Sequence, residues 1–418
     1  MQSVLKSLSV LALMGAVTLP VVAEDWPQYR GITGDGKSQE NLPAADWKAT
    51  GPNVAWKVKT PLGFSSFAVS DGRLFTLVAV DGHEVCLALS ADSGKELWRA
   101  ELGENDYGHD GGNSGAPGNR GGDGPRSTPA VEGDKVYVYD SHLVLRCLNA
   151  TNGEVLWRHD IVAEYAGRNI KWLNATSPVL GDQAVFVSGG GAGQSFLAFN
   201  KDDGSLIWKS GDETITHATP TLASVHGTRQ LVCFVQSGLV GVEASSGREL
   251  WRASFPFSVS TAASPVVSGN QVYCSAGYGV GAALFEIAGQ GNAEEIWFKS
   301  NELMNHWSTP VAHNGYLYGI FEFKKYGRAP LQCVELATGE IKWSERGFGP
   351  GNCILVGDKL VVLSDAGEVA IVAADPSGYR ELARADVLEG KCWSTPAYSD
   401  GQIYVRSTEE AARIDLAE

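Results

Sequence analysis

A small set of side chains in this sequence could do chemistry if the fold gathers them. Phe64, Arg126, Asn174, His217, His306 with Trp307, and Trp393 each fall just before a Ser/Thr-Pro step or its equivalent, and Trp172 and Lys391 lie close to two of them. Aromatic faces, a guanidinium, an ammonium, an amide and two imidazoles around one opening would hold a planar or anionic small ligand. Packed on one another and on water, the same groups would simply close that opening. Other chemistries lack their parts. His217 and His306 are without the close spacing of a zinc site, and no Gly-x-Ser-x-Gly elbow occurs. The glycine-rich stretch from Tyr107 to Arg126 has no strand–loop–helix context for phosphate. The reading assigns no catalytic residue and no metal ligands.

Whether those side chains meet depends on a repeat. "RSTPAVEGDKVYV" begins at Arg126, "ATSPVLGDQAVFV" at Ala175, "AASPVVSGNQVYC" at Ala262 and "WSTPAYSDGQIYV" at Trp393. A second phrase follows, as in "ALSADSGKELW" ending at Trp98 and "CLNATNGEVLW" at Trp157, with a glycine four residues before the indole. That glycine is Gly94, Gly153, Gly204, Gly247 or Gly339, and the residue six before it is small: Ala88, Cys147, Ala198, Gly241 or Cys333. Trp157, Trp208, Trp251, Trp297 and Trp343 recur every 43 to 51 residues, a period of arrays and propellers. Short apolar runs between Gly/Asn/Asp turns make each unit four antiparallel strands, a propeller blade. Blades begin near Ser65, Ser127, Ser177, Thr219, Ser264, Ser308, Gly351 and Ser394, giving eight, with seven the competing count because the seventh unit is weak.

The last unit supplies three strands, and "NVAWKVK", Asn53 to Lys59, with its own Trp56, is free to complete it. Joining the ends this way leaves no open sheet edge between the first and last blades. Proline before the first strand suits an innermost, edge position, so residues ahead of it should converge on one mouth of the central channel. Two seams should be looser: Trp297 falls six residues after Gly291, and Leu382 stands where an indole is expected.

The Trp-bearing phrase resembles the tryptophan-docking motif of the pyrroloquinoline-quinone (PQQ) repeat superfamily, and the resemblance runs from about Trp56 to the C-terminus. Trp56, Trp98, Trp157, Trp208, Trp251, Trp297 and Trp343 are the docking positions it implies. "DWPQYRG…GDG" is similar to the lead-in of exported members. The superfamily includes quinoprotein alcohol dehydrogenases and non-catalytic outer-membrane assembly factors of the BamB type. The resemblance implies an all-β eight-bladed propeller acting as a binding or assembly scaffold in the cell envelope, with an envelope protein partner. The alternative it carries is a PQQ-dependent dehydrogenase or a degenerate relative. Those enzymes place calcium, held by carboxylate and amide ligands, beside the quinone, with an aspartate base and often a disulfide between adjacent cysteines. Here no two cysteines adjoin and no mouth candidate is a carboxylate, so no cofactor is expected.

Residues 1–23 read as a signal peptide: Lys6, an apolar run interrupted by Pro20, then Val21 and Ala23 before a cut after Ala23. No cysteine near the cut marks a lipid anchor, and no later segment spans a bilayer. The plan is then a lead-in at 24–52 and a propeller at 53–418, in the periplasm or secreted. Loss of Lys6 takes the net charge from −15 to −16, which argues against nucleic-acid partners. Of seven cysteines, Cys86, Cys147 and Cys333 fall on strand faces as structural residues, Cys233 and Cys274 look buried, and a Cys353–Cys392 disulfide is left open.

Overall fold

The computed structural model describes residues 24–43, 47, 51–107, 124–259, 261–289, 291–321 and 329–416. The leader, the glycine-rich stretch between Tyr107 and Gly124, and the core of the "FEFKKYGRAP" insertion lie outside the described residues.

Eight sheets follow one another along the chain, each an antiparallel run from an inner to an outer strand. The second blade is typical: Ala130–Glu132, Lys135–Tyr139, Val144–Asn149 and Val155–Asp160. Asn53–Lys59 pairs antiparallel with Glu410–Asp415 and completes the eighth blade, as its sequence requires. One addition was not legible: Lys37–Ser38 pairs in parallel with Leu355 and Val356, giving the seventh blade a fifth strand.

The Ser/Thr ahead of each inner strand is more than punctuation. The backbone N–H groups of Thr395, Ser66, Thr128, Ser177 and Ser264 donate to the hydroxyls of Ser66, Thr128, Ser177, Thr219 and Thr309 in the following blade, at 2.8–3.0 Å. A hydroxyl both fits beside proline and gives an inner-edge N–H the acceptor it otherwise lacks. In the seventh blade Asn352 takes this position and its Nδ2 donates to Trp393 O at 2.7 Å. Blades are thus tied head to tail around the axis.

A second set of ties runs near the rim. Trp56, Trp98, Trp157 and Trp208 each lie on the turn of the next blade, where only glycine leaves room: a Cβ on Gly94 would stand 2.7 Å from Trp56, and one on Gly153 2.6 Å from Trp98. The indole N–H donates to the carbonyl three residues before that glycine, Trp56 to Ala91, Trp98 to Ala150 and Trp208 to Ala244, at 2.8–3.0 Å. Trp297 reaches Leu336 O and Trp343 reaches Asp375 O in the same manner. The small residue six before each glycine faces its own blade's indole across the strand pair, as Ala88 faces Trp98.

The departures have identifiable causes. Trp251 turns inward to donate to Gln230 Oε1 at 2.7 Å, because Gly241 opposite leaves the indole N–H space that a Cβ would fill at 2.1 Å. The stretched turn that should receive it offers Gly291 against Leu250 O rather than an indole. Trp157 sits on Gly204, but the carbonyl it should reach, Lys201 O, is taken by the Tyr137 hydroxyl. All seven cysteines are buried and free. That corrects the open Cys353–Cys392 pairing: Cys353 faces Tyr318 O and Cys392 faces Gly390 O, and burial pushes both thiols up to about 12.

Candidate functional site

Two residues before the Ser or Thr of the inner-edge ties stand Phe64, Arg126, His217, Trp307 and Trp393. On one side the aromatic members fill the mouth with each other. Phe64 stacks on Trp393 at 5.0 Å, and Trp393 meets Trp307 at 4.5 Å across the seventh blade, whose own residue here is Pro350. His306 packs on Trp307 and on Tyr278, each at 5.0 Å, and Tyr278 is 54% exposed, so this cluster reaches the surface. Lys391 lies over Trp393 at 5.9 Å and pairs with Asp365 at 3.6 Å.

The opposite side is cationic and held by backbone. Arg126 donates to Trp172 O at 2.8 Å while its guanidinium covers the Tyr107 ring. His217 contacts Lys171 O through Nε2 and lies 6.2 Å from Trp172. Burial, aided by Arg126 and His306, holds His217 down at about 3, and burial holds His306 down at about 4. Both imidazoles are therefore neutral at neutral pH. Asn174, 2% exposed, does not join them. Its Nδ2 donates to Asp140 O and Thr176 O, and its Oδ1 accepts from the Thr176 N–H and hydroxyl.

Arg126, Trp172, His217, His306, Trp307, Lys391 and Trp393 thus share one face, with Asn174 beneath it. Tyr107, Lys171, Tyr278 and Asp365 belong to it too and were not legible in the sequence, since none lies in the Ser/Thr-Pro phrase. A buried carboxylate backs the cationic half: Glu84 accepts from the Tyr107 hydroxyl and from Ser141 N. Burial, with Asp140 nearby, pushes Glu84 upward.

The other end of the channel is closed by the lead-in. Trp26 exchanges two backbone hydrogen bonds with Val69, Pro27 O accepts from Val131, and Gln28 Oε1 accepts from Leu180. These partners lie three residues beyond the tied hydroxyls of blades 1, 2 and 3, so the segment crosses below the ring. Arg30, 2% exposed, then reaches across to Thr309 O and Pro310 O of blade 6, and burial lowers its pKa. Among the described residues no group of three or more His, Cys, Asp or Glu side chains is placed to hold a metal, and no helix is long and apolar enough to cross a membrane.

Comparison with known proteins places this architecture. The family model described as outer membrane protein assembly factor BamB matches residues 46–160 and 81–345. An outer membrane protein assembly factor BamB of Yersinia pestis is 23% identical over 338 residues, 80% of this chain and 70% of its own length. The crystal structure of BamB from Moraxella catarrhalis superposes with a TM-score of 0.60 at 12% identity, covering 87% of this chain and 97% of that one. Quinohemoprotein alcohol dehydrogenase from Comamonas testosteroni gives 0.63 at 12% identity, covering 94% and 81%. At such identities the structural likeness is one of fold.

Proposed function

The chain is a PQQ-like β-propeller of the family described as outer membrane protein assembly factor BamB, and from that premise we propose that it is an exported, non-catalytic scaffold that binds an envelope protein through its mouth face. The observation that carries this reading is that the mouth is filled by its own side chains. Phe64, Trp393 and Trp307 pack on one another, Arg126 holds Trp172 O, and Lys391 pairs with Asp365. An exposed Tyr278 beside half-buried Trp307 and Trp393 and fixed cations suits a protein surface, where Trp, Tyr and Arg carry most of the binding energy. The signal-peptide-like character of residues 1–23 and the matched assembly-factor relative support an outer-membrane assembly partner in the periplasm.

The residues fit PQQ with calcium poorly. The mouth's aromatic faces pack on one another, Asn174 is engaged on both amide atoms, Asp365 faces a lysine and Glu84 accepts from Tyr107 and Ser141. A photo-crosslinking residue at Tyr278 tests the scaffold reading. It should trap a component of outer-membrane assembly in the living envelope, while the same residue at Leu97, exposed on an outer strand, should not. Saturable PQQ binding with dye-linked alcohol oxidation would instead overturn the non-catalytic reading.

A further inference from the structure

The outer strand of each blade is a sheet edge, and most of these edges are guarded by charge. In blades 1, 2, 3, 4 and 7 the outer strand carries one extra residue, Leu97, Leu156, Ile207, Leu250 or Leu382, and this bulge puts residues three apart on one face. In blades 1, 4 and 7 that face holds an ion pair: Glu96 with Arg99 at 2.7 Å, Glu249 with Arg252 at 2.7 Å and Glu381 with Arg384 at 3.1 Å. Blade 5 exposes Glu294 and Glu295 on its outer strand, blade 6 Lys342, and blade 8 Lys57 and Lys59. Charge so placed keeps a free edge from pairing with a foreign strand.

The outer strands of blades 2 and 3, Val155–Asp160 and Leu206–Ser210, break this rule. Val155 and Leu206 stand where blades 1, 4 and 7 have glutamate, beside the extra residues Leu156 and Ile207, and these four aliphatic side chains are 38–47% exposed. The cation three residues on is kept but has lost its acid. Arg158 is exposed with no hydrogen bond or ion pair among the described residues, and Lys209 reaches Gly193 O alone, at 3.5 Å. Both strands are last in their sheets, and no described residue pairs with their open side.

We propose that these two edges accept an added strand from a partner protein, one that alternates aliphatic and acidic side chains. The unpaired N–H and C=O groups of a sheet edge are matched by an extended polypeptide. Its aliphatic side chains cover Val155, Leu156, Leu206 and Ile207, and its carboxylates stand in for the missing glutamates beside Arg158 and Lys209. An anionic bilayer matches less well, because the chain as a whole carries −15. The edges lie on the rim, away from the mouth, and the inference stands whether or not the mouth binds an envelope protein.

A fluorescein-labelled hexapeptide of alternating valine and glutamate, titrated into the full-length protein and followed by anisotropy, tests it. This peptide should bind saturably. Its valine–lysine counterpart, and the same peptide N-methylated at alternate residues so that one side cannot donate, should each bind at least about tenfold weaker. Val155→Glu with Leu206→Glu supplies the missing acid on both strands. The urea midpoint should hold in that double variant while peptide affinity falls at least about tenfold. Glu96→Val opens blade 1 in the same way and should raise the peptide bound at saturation. Equal binding of the lysine or N-methylated peptide, an unaffected double variant, or no gain with Glu96→Val would overturn the assignment. Phosphatidylglycerol vesicles that bind wild type but not the double variant would give the edges to a membrane, and a dimer lost in that variant would give them to a second copy; either result overturns it too.

Discussion

Replacing Gly153 by alanine asks whether the indole seams stabilise the ring. Gly153 has φ +76°, where an L-residue costs about 1–2 kcal/mol. Gly133, a turn of the same blade, has φ +58° and would meet nothing within 4 Å, so Gly133→Ala carries the backbone cost alone. At Gly153 the new methyl would stand 2.6 Å from Trp98 Cε3. The indole is 8% exposed and backed by Phe75 at 5.9 Å, so it cannot retreat without leaving its place. Displacing it loses the 3.0 Å bond to Ala150 O, about 1 kcal/mol, and overpacks a buried seam, about 1–3 kcal/mol more. Gly153→Ala should therefore destabilise by about 3–6 kcal/mol against about 1–2 for Gly133→Ala, read as the urea midpoint at unchanged slope. In a Trp98→Ala background the excess should vanish, because the clash has no second party. An excess that survives removal of the indole, or no excess at all, would refute the claim that glycine is there to receive the neighbouring blade's tryptophan.

Three further outcomes follow from the same geometry. Gly241→Ala should drive Trp251 off Gln230 Oε1, costing about 2–4 kcal/mol and shifting tryptophan emission, since its Cβ would lie 2.1 Å from Trp251 Nε1. Arg30→Met should strand the Thr309 and Pro310 carbonyls, lower stability by about 2–4 kcal/mol and speed proteolysis of the lead-in, with mouth fluorescence unchanged. His217 takes up a proton near pH 6.5 in the unfolded chain but only at about 3 when folded. Its contribution is therefore full above about pH 6.5 and is lost as pH falls toward the folded value. Wild type should lose about 2 kcal/mol more than His217→Gln between pH 7 and 5, measured by urea midpoints at each pH.

How much of this was legible depended on whether a feature repeats. Turn glycines, indoles and Ser/Thr-Pro steps recur at blade spacing, so the strands, the eight-fold count and closure by Asn53–Lys59 could be read from their period alone. Alignment on the Ser/Thr-Pro step also drew Arg126, His217, Trp307 and Trp393 to one face, because a repeat fixes which way its preceding residue points. What occurs once could not be read. Nothing in "GITGDGKSQE" announces that Lys37–Ser38 will pair with the seventh blade, since a two-residue strand has no period. Tyr107 and Tyr278 reach the mouth from connections outside the repeat. Asn174 misled because its residue type suited a ligand while its hydrogen bonds, invisible in sequence, already engage it. Trp157 and Trp251 carry the expected phrase yet differ, one because a tyrosine from the same blade claims its acceptor and one because a lone glycine opposite it changes its course.

The fourth and fifth blades show why such local failures need not loosen the ring. Their seam lacks the indole contact, with Trp251 turned inward, and lacks the hydroxyl tie, with Ser264 Oγ unpartnered. Other residues replace both. Phe255 packs edge-on between Phe234 at 5.5 Å and Phe298 at 5.8 Å, joining the outer strands of the two blades. His226 N donates to Asn270 Oδ1 at 3.0 Å, and its Nε2 contacts Ile287 O. Apolar packing at the outer strands and a histidine clamp between the inner-strand turns thus stand in for the indole contact and the hydroxyl tie. The inner edge keeps its hold through other groups: Thr221 Oγ1 donates to Pro265 O at 2.7 Å and His217 N to Thr261 O at 2.9 Å. Because the substitutes act at both the inner edge and the outer strands, loss of the repeat's own contacts at one seam leaves the ring closed.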